Sequence, residues 1–299
     1  MINAKGLKKI LISLTPVPLN ISWKTRTRAS GERQSPFLGT SGFDFSDIRP
    51  FEQFPDARRV NWRQSERAGT LLVNVFEETK KADIVVIADV SRSMLFDEDS
   101  PKNLMAASLA ATIAYSAWGK KDRFGFAAFN GGIQFFLRPQ ISSHHHEFLA
   151  RYLLDTDNFG KGHKGLNEAL WQIMSPRALV FIISDFLYLD ELPGFKSDLV
   201  SLGCRHEIIP LIIRHPLEKQ LPEISPRTIW RDLETGEKIK LGLDAPARKR
   251  FQETMSLNLE SVIGFLKAAG LYPFVFYADE EHWQERLIDV LGSQRMANI

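Results

Sequence analysis

Short apolar runs that end in polar residues recur along this chain from residue 83 onwards. The run Asp83–Asp89 is rich in β-branched side chains and ends in an acidic residue. That composition is typical of a central strand covered by helices on both faces. Arg177–Asp185 repeats the pattern, because an apolar run again places an acidic residue at its carboxyl end. Further strands are predicted at 123–129, 133–137, 207–214 and 272–277.

Segments with helical character alternate with these strands. Ser100–Pro101 predicts an N-cap followed by proline at the first helical position, opening an alanine-rich helix that ends near Trp118. Alternating strands and helices indicate an α/β fold with a doubly wound, mostly parallel sheet of the Rossmann type. Other helices are predicted near 143–154, 165–174, 190–202, 245–269 and 280–292.

The chain divides into three regions by pattern. Residues 1–40 mix basic and turn-forming residues without a sustained period, which predicts a basic, partly mobile arm. Residues 41–80 end in a clear strand and predict a small β-rich N-terminal subdomain. Residues 81–299 then form the α/β domain, with a hairpin insertion near 225–243.

Composition narrows the class of protein only slightly. The chain has 299 residues, of which 44% are hydrophobic and 25% charged, as in ordinary globular proteins. Its formal charge of +2 is too small to indicate nucleic acid as an obligate partner. Cys204 is the single cysteine, so no intrachain disulfide can form, and we expect a cytoplasmic protein. The apolar run that starts at Ile10 is short and interrupted by prolines, so we expect no membrane span.

Oxygen-bearing side chains follow two of the predicted strands. Asp89, Ser91 and Ser93 occupy alternate positions after the first strand, and Asp185 follows the second. Ligands of open α/β sheets collect beyond the carboxyl ends of the strands, and Mg²⁺ prefers oxygen ligands. The pattern therefore predicts a magnesium site that a partner's carboxylate could complete. The alternative is a serine-rich turn that only caps the next helix.

The same residues resemble a known kind of site. Asp89-x-Ser91-x-Ser93 resembles the metal-ion-dependent adhesion site of von Willebrand factor A domains, with Asp185 as its second acidic position. The upstream segments Gly42–Phe51 and Arg58–Arg67 resemble the bacterial domain-of-unknown-function 58 family more narrowly. This resemblance implies a von Willebrand factor A-like domain and a non-enzymatic partner of MoxR-type AAA+ ATPases.

One position departs from the adhesion-site pattern. Lys164 stands where A domains place a metal-ligating Thr, so we expect magnesium binding to be weak or absent. Either Lys164 points away from the site, or its ammonium replaces the metal and pairs with Asp89 and Asp185. We expect the partner to contact the same loops, at Gly132, His163 and Lys164.

Other functions and other kinds of site agree less well with the sequence. A metal-dependent hydrolase using Asp89 and Asp185 is the alternative function, although no Gly-x-Ser-x-Gly elbow or phosphatase-type Asp-x-Asp is present. The glycines of Gly160–Gly165 lack the P-loop spacing. His144–His146 are adjacent, so they cannot share one ion on a helix. Around Trp62, arginines could bind nucleic acid, but an ion-pair network about a buried indole explains them better.

Overall fold

A computed structural model describes residues 4–19, 43–50, 60–78, 82–96, 101–162, 164–173, 175–189, 194–219, 228–231, 238–241 and 245–297. The chain divides into two compact units, Met1–Ser22 with Ala82–Ile299, and Trp23–Lys81. The strands are β1 (Phe43–Pro50), β2 (Leu72–Glu78), β3 (Asp83–Asp89), β4 (Arg123–Phe129), β5 (Ile133–Gln140), β6 (Ala178–Ser184), β7 (Glu207–Arg214), β8 (Thr228–Arg231), β9 (Lys238–Leu241) and β10 (Phe274–Tyr277). The helices are α1 (Ala4–Ser13), α2 (Trp62–Ala68), α3 (Lys102–Gly119), α4 (His145–Leu154), α5 (Gly165–Trp171), α6 (Phe195–Gly203), α7 (Pro216–Lys219), α8 (Ala245–Ala268) and α9 (Trp283–Ala297).

The larger unit is built on a six-stranded sheet with the strand order β10-β7-β6-β3-β4-β5. Its strands are parallel to their neighbours, except that the edge strand β5 runs antiparallel to β4. The predicted doubly wound, mostly parallel α/β sheet is therefore confirmed. The chain leaves β3 towards β4 and β5, then crosses back to β6, so the strand order reverses between β3 and β6. Such a reversal is where open α/β sheets form their ligand sites.

Helices cover both faces of this sheet. Every residue of β3 and of β6 is buried, as their continuous apolar runs require. One face packs against side chains of α5, α6 and α8, with Val85 and Ile87 of β3 in that core. The other face packs against α3, which is apolar around most of its circumference because α4 covers its outer side.

The N-terminal segment differs from the expected arm. Residues 4–13 form α1, and Ile10, Val17 and Leu19 are buried in the larger unit. The Val17 backbone N–H donates to the Ser116 hydroxyl at 2.8 Å, and Lys120 Nζ donates to the Leu19 carbonyl at 3.0 Å. The burial of these apolar side chains and the two hydrogen bonds hold the segment in place. Residues 1–3 and 20–40 of the expected arm lie outside the described residues.

Two short antiparallel pairs complete the described structure. In the smaller unit β1 pairs with β2, and α2 begins after Asn61, whose side chain accepts the Gln64 backbone N–H at 3.1 Å. Strands β8 and β9 pair at the position of the expected hairpin insertion. None of the helices in the described ranges has the length and apolar character needed to cross a membrane.

Candidate functional site

The site lies at the reversal of strand order between β3 and β6. Asp89 is the last residue of β3, and Ser184 and Asp185 stand at the end of β6. The two strands are parallel neighbours, with Ala88 opposite Ile183, so their carboxyl ends meet at one edge of the sheet. The sheet therefore brings together acidic side chains that are far apart in sequence.

Asp89 is fully buried and held by two donors. Its Oδ1 accepts the Ser91 backbone N–H at 2.8 Å, and its Oδ2 accepts the Ser184 hydroxyl at 2.6 Å. Burial, with the nearby negative charge of Asp185, raises the pKa of Asp89 to about 6, although these hydrogen bonds oppose the rise. An added positive charge would therefore stabilise the ionised Asp89 carboxylate.

Ser91 and Ser93 connect the two carboxylates. Their hydroxyl oxygens lie 2.9 Å apart, and the Ser93 hydroxyl also donates to Asp185. Ser91 is buried, whereas Ser93 is half-buried. Asp89, Ser91, Ser93 and Asp185 therefore form the continuous group of oxygen atoms that the sequence pattern indicated.

Two further hydroxyls belong to this group and were not anticipated. Ser184 lies between Asp89 and the Tyr188 phenol, whose oxygen is 3.1 Å from the Ser184 hydroxyl. Burial, together with the charge of Asp89, raises the pKa of Tyr188 well above its ordinary value, so the phenol stays protonated. Phe186, which lies between Ser184 and Tyr188 in the sequence, has a φ of 52°, a left-handed conformation that is unfavourable for phenylalanine. The sequence signal for Ser184 is a hydroxyl residue at the end of an apolar run that predicts a buried strand.

Lys102, not Lys164, supplies the ammonium that pairs with Asp185. Lys102 Nζ lies 2.9 Å from Asp185 Oδ2 and 2.6 Å from Glu218 Oε1, and its side chain is 2% exposed. Burial lowers the pKa of Lys102, but the two carboxylates outweigh that effect and raise it. Although burial alone would raise the pKa of Asp185, Lys102 holds it below its ordinary value. Lys164 is exposed, and within the described residues no ion pair joins it to Asp89 or Asp185.

The ion pairs continue from Lys102 towards the end of β7. Arg214 Nη1 lies 3.2 Å from Glu218 Oε2, and Arg214 Nη2 donates to Asn258 Oδ1 at 2.9 Å. Arg214 is 2% exposed. Beside it, a cavity of about 400 Å³ is lined by Glu218, Tyr277 and residues of α8. The sequence signal for this network is weak, consisting of one lysine in the first turn of an otherwise apolar helix.

The glycine-rich loop at Gly160–Gly165 is hydrogen-bonded to the loop that carries Ser91 and Ser93. The Gly160 N–H donates to the Val90 carbonyl at 3.0 Å, and the Gly160 carbonyl accepts the Arg92 N–H at 3.0 Å. A Cβ at Gly160 would overlap the Asn130 side chain. The loop therefore acts as a short extension of the sheet beside Ser91.

The remaining predicted contact residues lie near this loop. Gly132 approaches Gly165 so closely that a Cβ at Gly165 would overlap the Gly132 backbone. Lys164 precedes Gly165 and begins α5. His163 lies outside the described residues. The loops of Gly132 and Lys164 thus contact each other through the backbone. Within the described residues, no ion pair joins Lys164 to Asp89 or Asp185.

The oxygen group fits a hard divalent cation by its chemistry. Two carboxylates and two hydroxyls are donors that Mg²⁺ accepts, and Asp89 lacks a neutralising charge of its own. Asp185, in contrast, is already paired with Lys102. Across the described ranges, no cluster of three or more His, Cys, Asp or Glu side chains could hold a metal ion, so a site here depends on the hydroxyls.

Trp62 does not occupy the buried position expected of it. It is 69% exposed at the start of α2, and Arg63 and Arg67 on that helix are exposed as well. The buried residue of α2 is Ser65, whose hydroxyl oxygen accepts a hydrogen bond from the Leu72 backbone N–H at 2.8 Å. In the histidine triplet at the start of α4, His144 is exposed, His145 is buried and the half-buried His146 contacts Tyr115 of α3.

Comparisons with known proteins identify a family. Residues 47–260 match the family model described as "Protein of unknown function DUF58". No curated protein matches the chain. The chain resembles a solved structure of the conserved hypothetical protein BatB from Bacteroides thetaiotaomicron, with 16% identity over 73% of this chain and 100% of that one, at a TM-score of 0.43. It also resembles an aerotolerance-related membrane protein from Bacteroides fragilis, with 16% identity over 70% and 96% of the two chains, at a TM-score of 0.42. Because the family model covers more than half of its length, the chain belongs to the DUF58 family.

Proposed function

We propose that this protein is a non-enzymatic protein-binding adaptor that presents a degenerate metal-ion-dependent adhesion site. The observation that carries the proposal is the convergence of Asp89, Ser91, Ser93 and Asp185 at the reversal of strand order. Ligands of open α/β sheets bind at this edge. Ser91 and Ser93 lie in a loop that backbone hydrogen bonds join to Gly160.

Asp89, Ser91, Ser93 and Asp185 are the residues that would hold a weakly bound Mg²⁺. When bound, the cation would attract a carboxylate of the partner. The protein's own residues orient the hydroxyls and keep Asp89 desolvated, so that an arriving positive charge is favourable. Ser93 is the half-buried member of the set and would be the first to meet a partner.

The partner that we propose is a MoxR-type AAA+ ATPase in the cytoplasm. This identity rests on the family resemblance of the adhesion-site loop and the upstream arginine-rich segment. Lys164, Gly132 and His163 are proposed to line the partner-binding surface. Lys164 suits that role because its ammonium is exposed beside the hydrogen-bonded loops.

A metal-dependent hydrolase at Asp89 and Asp185 is the alternative function. One observation favours it, since an aspartate with a pKa of about 6 could act as a general base. Against it, the sequence has neither a Gly-x-Ser-x-Gly elbow nor a phosphatase-type Asp-x-Asp. A metal-dependent turnover of phosphate or carboxylate esters that disappears in Asp89→Ala would establish the alternative.

Capture of a co-expressed MoxR-type ATPase from the same organism tests the adaptor proposal. We expect Ser93→Ala to weaken capture about tenfold or more, because a hydrogen bond to a charged group contributes about 1.5–3 kcal/mol. Ser201→Ala is the matched control, since that hydroxyl is exposed and bonds only within α6. Equal capture by Ser93→Ala and the unmodified protein, with both folded, would place the binding surface elsewhere.

A further inference from the structure

Lys102 occupies a position that is unfavourable for an isolated cation. It is the first residue of α3, where the helix dipole is positive, and it is almost fully buried. Asp185 and Glu218 compensate by contacting the ammonium from two sides. A lysine held this way is a fixed internal charge and not a mobile surface group.

The charges around Lys102 do not balance. Asp89, Asp185 and Glu218 carry three negative charges when ionised, whereas Lys102 and Arg214 carry two positive ones. The cluster is therefore one positive charge short. Asp89 is the carboxylate without an ion pair, and the groups that donate hydrogen bonds to it, such as those of Ser91 and Ser184, are uncharged.

Glu218 allows Lys102 to remain paired without Asp185. The Lys102–Glu218 separation is 2.6 Å, shorter than the 2.9 Å to Asp185. Glu218 is held in place by Arg214, which Asn258 holds in turn. If another cation neutralised Asp185, Lys102 could stay with Glu218 and would not become an unpaired buried charge.

We propose that Lys102 is a built-in counter-ion that competes with a divalent cation for Asp185 and thereby sets the metal affinity of the site. This inference rests on the proposed adhesion site and assigns to Lys102 the role that the sequence pattern suggested for Lys164. The ammonium keeps Asp185 neutralised when no metal is present. Metal binding then requires Lys102 to shift its interaction towards Glu218.

Magnesium and manganese titrations by calorimetry test this competition. The informative variant is Lys102→Met combined with Glu218→Gln, which removes one positive and one negative charge and leaves the net charge of the cluster unchanged. We expect it to bind Mg²⁺ at least tenfold more tightly than the unmodified protein, because Asp185 becomes available. Lys196→Met is the matched control and should change the affinity less than threefold, since Lys196 is exposed on α6 and makes no ion pair with either aspartate.

The single variant Glu218→Gln keeps Lys102 and should change the Mg²⁺ affinity in the opposite direction. It leaves Lys102 with Asp185 as its only carboxylate, so Mg²⁺ binding should weaken at least threefold. If the double variant does not fold, this single variant decides the question. Unchanged affinity in whichever variant is folded would overturn the inference.

The metal titration and the capture experiment test the two proposals separately. If neither the unmodified protein nor the double variant binds Mg²⁺ or Mn²⁺, the competition is overturned, even if Ser93→Ala still weakens ATPase capture. If Lys102 competes as expected but Ser93→Ala captures the ATPase normally, the adaptor proposal fails instead.

Discussion

Asp89 and Asp185 are both fully buried, yet their pKa values shift in opposite directions. Burial raises the pKa of Asp185, but the Lys102 ammonium 2.9 Å away, the charge of Arg214 and the Ser93 hydrogen bond together outweigh it. Asp89 has hydrogen bonds but no ion pair, so burial and the charge of Asp185 dominate. One lysine therefore divides two chemically identical side chains into a paired carboxylate and an unpaired one.

Replacing the unpaired carboxylate should stabilise the fold at neutral pH. Asp89 has a folded-state pKa of about 6, above its ordinary value of 3.8, so folding is penalised when it is ionised. We expect Asp89→Asn to raise the free energy of unfolding by about 1–3 kcal/mol at pH 7. The gain should shrink as the pH falls from about 6 towards 4, because the folded unmodified protein then binds the proton.

Urea unfolding at several pH values measures this difference. The exposed Asp289→Asn in α9 serves as the control and should change stability by less than about 0.5 kcal/mol. A lower stability of Asp89→Asn at pH 7 would mean that its hydrogen bonds outweigh the cost of its charge.

Removing Lys102 alone should have the opposite effect on stability. Lys102→Met leaves Asp185 and Glu218 buried without their common partner, and we expect a loss of about 3–5 kcal/mol. Lys164→Met should cost less than about 0.5 kcal/mol, because Lys164 is exposed. Chemical denaturation compares the two, and equal stabilities would contradict the ion-pair geometry.

At the scale of elements, the site depends on close approach between loops. The turn after β4 and the loop before α5 meet where Gly132 faces Gly165, and the Gly165 N–H donates to the Asn130 carbonyl at 3.0 Å. Gly160 links the same loop to the end of β3. Because each contact leaves no room for a side chain, the loops can shift only together.

Gly165→Ala should therefore destabilise the protein by about 1–3 kcal/mol, since the added methyl group would overlap Gly132. Gly264→Ala is a matched control within α8, where a Cβ would meet no atom within 4 Å. That substitution should stabilise the protein by up to about 1 kcal/mol, because alanine favours a helix over glycine. Thermal unfolding of both variants checks the two signs, and a neutral Gly165→Ala would show that the loops can separate.

At the scale of the whole molecule, the larger unit is discontinuous in sequence. Its first segment, Met1–Ser22, is separated from Ala82–Ile299 by the smaller unit. Helix α1 packs against α3 and α4, and Val17 and Leu19, which follow it, are also buried. The N-terminal segment is thus part of the core of the unit that carries the site.

This integration predicts a contrast between two isoleucines of α1. Ile10 is 2% exposed, so Ile10→Ala should cost about 2–5 kcal/mol through lost burial and a residual cavity. Ile12 is 75% exposed, and Ile12→Ala should change stability by less than about 0.5 kcal/mol. Denaturant midpoints of the two variants measure the contrast. If Ile10→Ala were as harmless as Ile12→Ala, the segment would behave as the mobile arm that its sequence suggested.

The sequence by itself determined the sheet and the acidic edge. Continuous β-branched runs can be buried on both faces only in a covered parallel sheet, so β3 and β6 followed from local composition. The positions of Asp89 and Asp185 then followed from where those runs end. Ser91 and Ser93 lie within a few residues of Asp89, so their grouping was also a local matter.

Only the tertiary structure decided which cation faces Asp185. Lys102 and Asp185 are 83 positions apart, and Glu218 lies still further along the chain. Lys164 was the nearer candidate by pattern, but the direction of a side chain at the start of α5 depends on how the loops pack. The burial of Ile10 and the exposure of Trp62 could not be predicted from the sequence for the same reason. Periodicity reports which residues share a face of one element, whereas long-range packing determines what that face meets.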